Sequence, residues 1–123
     1  MKKVFATIIA LSALASGAAY AQNVSVVEQM GVGNGQSTAQ AGANYSFTGQ
    51  IGAFNGSITN QLGTGNAAAT LQGGIANGSV TAQAGHLNGS VTMQGGTGHM
   101  SSTSQWGVGN QSLTVQTDAV SPH

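Results

Sequence analysis

Polar and apolar positions alternate along most of this chain, and the alternation restarts on a beat of eleven residues. The beat is carried by glutamines: Gln29, Gln40, Gln50, Gln61, Gln72, Gln83, Gln94, Gln105 and Gln116, each eleven residues from the last except Gln50, which follows Gln40 by ten. A fixed short period marks a repeat architecture. Counting each unit from its Gln as position 0, position 2 is always Gly: Gly31, Gly42, Gly52, Gly63, Gly74, Gly85, Gly96 and Gly107. Position 5 is Asn34, Asn44, Asn55, Asn66, Asn77, Asn88 and Asn110, with His99 in the same slot of the seventh unit. Position 9 is always Thr: Thr38, Thr48, Thr59, Thr70, Thr81, Thr92, Thr103 and Thr114. Position 7 is mostly Ser, and position 8 is mostly aliphatic, as in Ile58, Val80 and Val91. Asn23–Glu28 supplies half a unit ahead of the first Gln.

The pattern predicts one strand and one turn per unit. β-Branched residues gather at positions 6 to 10, which with the next Gln read as strand. Positions 1 to 5 read as turn, with Gly suited to positive φ and Asn to αL. A helix is excluded, because a Gly–Asn break every eleven residues stops it near its third turn. Units of equal length stack, so the fold class is all-β: a β-solenoid of strand-turn-strand rungs, with eleven-residue half-rungs and about four rungs. The missing residue of the second unit falls between Gly42 and Asn44, inside a turn, where deletions are best tolerated.

Strand alternation places positions 5, 7, 9 and 0 on one face and 6, 8 and 10 on the other. Ordinary burial turns the aliphatic face inward. Stacked amides, by contrast, satisfy one another along the axis and favour a polar interior. The polar face is uniform, as a packed ladder demands, whereas the aliphatic face varies from Ser to Phe. We read the polar face as the inner one.

The ends and the charges narrow the functional classes. Residues 1–21 read as a cleaved signal peptide: Lys2 and Lys3, an apolar run from Val4 to Leu14, and Ala19-Tyr20-Ala21 as the cleavage site. The apolar run is too short to span a bilayer as a helix. Residues 22–117 form the repeat and 118–123 a tail. Both basic residues lie in the leader, so the mature chain holds only Glu28 and Asp118 as charged side chains apart from histidine. Phosphate backbones and anionic membranes are bound through Lys and Arg, so neither is an expected partner. No membrane insertion is expected after leader cleavage. With no cysteine there is neither a disulfide framework nor a thiolate site.

No catalytic, cofactor or metal site is expected. Gly31-Val32-Gly33-Asn34-Gly35 loosely resembles a phosphate loop, but it is one of eight similar turns and lacks a Lys. His86, His99 and His123 share no ligand spacing, and His99 reads as a substituted ladder Asn. Glu28 and Asp118 stand at opposite ends of the array, too far apart in sequence to suggest an acid–base pair. Trp106 reads as a lone exposed aromatic.

The repeat Gln-x-Gly-x-x-Asn-x-Ser/Ala-x-Thr-x-Gln, held in register over residues 23–117, closely resembles the curlin repeat of bacterial curli fibre subunits. The resemblance implies Gln and Asn pointing inward and secretion to the surface of a Gram-negative bacterium. It also implies assembly into extracellular functional amyloid for biofilm matrix and adhesion. The implied partners are further copies of the chain, a nucleator subunit and an outer-membrane secretion channel. The alternative is an ice-binding solenoid, which needs an outward Thr ladder and inward aliphatic residues. A glycan-binding adhesin built on Trp106 and Tyr45 is a third reading, and nothing in the repeat supports it.

Overall fold

A computed structural model describes residues 22–118. The expected leader and the tail beyond Asp118 lie outside the described residues. Seven strands follow one another: β1 Val24–Val32, β2 Gly35–Ala53, β3 Gly56–Ile75, β4 Gly78–His86, β5 Gly89–Thr97, β6 Met100–Val108 and β7 Gln111–Thr117. Every strand pairing is parallel. β2 and β3 each run through one corner, so each contributes a segment to both sides of the coil. The chain therefore winds as a β-solenoid of about four turns.

Two columns of strand segments result. One holds β1, residues 45–53, residues 67–75, β5 and β7. The other holds residues 35–43, residues 56–64, β4 and β6. Like residues stack on like: Gln50 pairs with Gln72, Gly52 with Gly74, and Thr59 with Thr81. The period is strict because a slip of one residue would exchange the two faces of a strand.

The strands are longer than the sequence pattern implies. Pairing runs on through positions 1, 2 and 3, and in most corners only positions 4 and 5 fall between strands. Position 4, not the Asn, carries the left-handed residue. It is Gly33, Gly65, Gly98 and Gly109, but also Phe54, Ala76 and Leu87, with φ between 57° and 74°. The short unit lacks this very position: Ala43 is followed directly by Asn44. The pairing shifts by one residue there, between Ala43 and Tyr45.

The interior is polar. Gln50, Gln61, Asn55, Asn66, Thr48, Thr59 and their equivalents in the inner rungs are at most a few per cent exposed, those of the end rungs are half-buried, and Ala68 is the one buried hydrophobic residue among the described residues. Ile58 and Val80 stand outside at 45% and 41% exposure. The polar-inward reading therefore holds, against the general rule for soluble domains. Van der Waals contact and axial hydrogen bonds hold the stack where an apolar core would ordinarily do so.

Candidate functional site: the interior ladders and the two open edges

The strand pleat aims positions 5, 7, 9 and 0 at the lumen, and the shared register sets each side chain above its twin. In the glutamine columns each Nε2 donates to the Oε1 of the next rung. The distances are 2.8 Å for Gln50 to Gln72, 2.8 Å for Gln61 to Gln83, and 2.7 Å for Gln72 to Gln94. The second N–H of the same amide crosses the lumen to a backbone carbonyl of the other column, as from Gln72 to Gly56 at 2.9 Å and from Gln94 to Gly78 at 2.8 Å. Each interior Gln thus joins two rungs and two columns. The ladder Gln29, Gln40, Gln50, Gln61, Gln72, Gln83, Gln94, Gln105 and Gln116 is continuous in both columns.

The asparagines brace the corners. The backbone N–H of Asn77 donates to Oδ1 of Asn55 at 3.1 Å, while Nδ2 of Asn77 reaches the carbonyls of Gly73 and Gly96. Asn23 belongs to this column as well, since its Oδ1 accepts from the N–H of Asn44 at 3.1 Å. The sequence pattern shows the signal for it: Asn23 lies six residues before Gln29, one unit ahead of Asn34. His99 takes the ladder role expected of it. Its N–H donates to Asn77 Oδ1 at 3.0 Å, and its Nε2 sits 3.1 Å from the Gly95 carbonyl, where a ladder Asn places its amide.

Glycine at position 2 is a matter of space. φ at these residues lies between +104° and +127°. In Gly31, Gly42, Gly52, Gly63, Gly74 and Gly85 an added Cβ would fall on the carbonyl oxygen of the glycine one rung on. The ninth unit has Asp118 at this position. Its carboxylate lies over Gly96, accepts the N–H of Thr97 at 3.1 Å, and pairs with His99 Nε2 at 3.0 Å.

The threonine column lies inside, with Thr59 and Thr81 each 1% exposed. Strand alternation places Thr with Gln and Asn on the lumen side, so these columns are not the outward Thr ladder that an ice-binding array would need. Several buried hydroxyls there, among them Thr48, Thr59, Thr70, Ser57 and Ser79, have no hydrogen-bond partner among the described residues. Trp106 is 75% exposed, and its Nε1 donates to Ser104 Oγ at 3.3 Å. Among the described residues no three of His, Asp or Glu come together as metal ligands.

The outer wall differs between columns. Met30, Phe47, Ile51, Leu71, Met93 and Val115 line a shallow apolar groove on the five-segment side. The facing wall mixes Ser37, Ala39, Asn60, Ala82, Ser102 and Ser104 with the exposed Ile58, Leu62, Val80 and Trp106. Among the described residues both ends of the coil are open: β1 and residues 35–43 at one end, β6 and β7 at the other. The sequence matches no protein-family model, and no curated protein matches it.

Proposed function

We propose that this chain is the structural subunit of an extracellular curli-like amyloid fibre, growing by end-to-end β-stacking and serving biofilm matrix and surface adhesion. The observation that carries the reading is the pair of open edges. Among the described residues each presents unpaired backbone groups in the register that the interior rungs already use. Soluble solenoids cap such edges with charge or with an irregular element. Here Glu28 in β1 and Asp118 just past β7 are the carboxylates among the described residues, and Asp118 already pairs with His99. The curlin-like repeat points the same way.

The role is structural rather than catalytic. Secretion to the cell surface, a nucleator and an outer-membrane channel belong to the same proposal. The inward Thr columns weigh against an ice-binding array built from them. The purified mature chain is expected to form thioflavin-positive fibres with a meridional spacing near ~4.8 Å. A chain still monomeric after days at tens of micromolar would falsify the proposal. Thermal hysteresis from that monomer would favour the alternative.

A further inference from the structure

The two columns are unequal, one of five segments and one of four. We infer that successive copies in the fibre are related by a half-turn about the stack axis, so that the five-segment column of one copy continues into the four-segment column of the next. The inference rests on the fibre reading and deepens it.

The argument is one of edge closure. At one end β7 tops the first column, and β6 tops the second half a coil earlier. At the other end β1 opens the first column, and residues 35–43 open the second half a coil later. If a second copy docks without rotation, its β1 lands on β7. Its residues 35–43 and the first copy's β6 then face each other across a missing strand. The gap is about two strand spacings, ~9.6 Å, and both edges stay unpaired. Unpaired, desolvated backbone groups are costly. After a half-turn, β1 of the second copy lands on β6, and its residues 35–43 land on β7. Both edges close.

The register that results is the one the interior uses. Gln105 lies beneath Gln29 of the next copy, Gln116 beneath Gln40, Asn110 beneath Asn34, and Thr114 beneath Thr38. The amides are also oriented for it. Every ladder Nε2 donates toward the C-terminal end, as from Gln83 to Gln105 at 2.7 Å and from Gln94 to Gln116 at 2.8 Å. Gln105 and Gln116 use one amide N–H on the carbonyls of Gly89 and Met100, which leaves one N–H each for a following rung. At the opposite end the Oε1 atoms of Gln29 and Gln40 accept no hydrogen bond among the described residues. One end offers two amide donors and the other two amide acceptors. The repeat stops at Asp118, in a corner, and restarts at Asn23 of the next copy, which is a corner residue too.

The chain has no cysteine, so single thiols can report the junction. Directly paired residues on neighbouring strands lie within disulfide reach. The half-turn sets Val26 of one copy beside Ser102 of the next, whereas the unrotated junction sets it beside Leu113. Fibres would be grown from equal mixtures of V26C with S102C and of V26C with L113C, oxidised, then denatured without reductant. The half-turn predicts covalent dimers from the first mixture and monomers from the second. The reverse pattern, or no dimers from either mixture of good fibres, overturns the half-turn and leaves the fibre reading intact. Failure of the unsubstituted chain to form fibres removes that reading instead. If a cysteine variant alone fails to assemble, the symmetry of unsubstituted fibres decides by cryo-electron microscopy. About 180° and ~22 Å per copy supports the half-turn, and no rotation with ~24 Å overturns it.

Discussion

At the scale of single residues the lumen separates side chains that bond from side chains that only fill. Gln72 donates to two carbonyl oxygens and accepts from Gln50. Replacing it by Glu puts an acceptor-only group against acceptors, and the buried charge is expected to cost more than about 3 kcal/mol. Thr70 is buried with an unpartnered hydroxyl. Thr70→Val removes a desolvated polar group without breaking a bond, so it is expected to be neutral or slightly stabilising. Denaturant unfolding of the freshly prepared monomer measures both, and the contrast between them is the test. Ala76 sits at φ 59°, a conformation that costs a Cβ-bearing residue about 1–2 kcal/mol. Ala76→Gly is expected to return about 0.5–1 kcal/mol in the same assay, after the added freedom of the unfolded chain is offset. The Gln, Asn and Thr ladders were legible in the sequence because identical stacking demands identical letters. Position 4 was not, because the αL residue faces solvent and leaves no constant letter behind: Gly, Phe, Ala and Leu all occupy it.

At the scale of the rung, the corner is where sequence and structure part most. The Gly at position 2 marks positions 1 to 3 as turn, yet they pair as strand, since a glycine with φ near +120° still lies in register with the glycine one rung on. That stacking explains the glycine at position 2 in the first six units, each of which has another glycine one rung on. Gly74→Ala would drive a Cβ into the carbonyl of Gly96. The expected loss is about 3 kcal/mol or more, read as a lower unfolding midpoint, from a clash added to an unfavourable φ. The corner at Ala43–Asn44 lacks its left-handed residue and shifts the pairing there. Inserting a Gly between Ala43 and Asn44 is expected to remove the shift and gain about 0.5–1 kcal/mol. An insertion that lowered stability would mean the short corner is itself the relaxed form. The asymmetry of the outer walls was hidden for a different reason. A sequence read as one eleven-residue unit averages the two columns, and at position 10 only the winding separates Leu71, Met93 and Val115 from Ala39, Asn60 and Ala82.

The whole molecule reverses the usual partition of polar and apolar groups, and it carries almost no charge. Assembly of the mature chain is therefore expected to be nearly indifferent to ionic strength. Thioflavin growth rates between 10 and 500 mM salt are expected to differ by less than about threefold, since little repulsion is available to screen. A steep salt dependence would point to Glu28 and Asp118 as real barriers at the ends. The solenoid and its inward ladders rest on period and chemistry that one sequence displays in full. The junction does not, because it depends on how many half-coils separate the first strand from the last. The direction of the ladders has a mechanical side as well. The Gln-to-Gln and Asn-to-Asn bonds between rungs run along the axis, beside the backbone bonds of both columns, so in the proposed filament a pull along that axis would load all of them at once. Within a copy the covalent chain also crosses from rung to rung and backs up those bonds. Between copies of the proposed fibre nothing covalent would cross. A filament of this protein under tension should therefore yield at its junctions, in whole-subunit steps, and should heal by the same contacts once the load is gone.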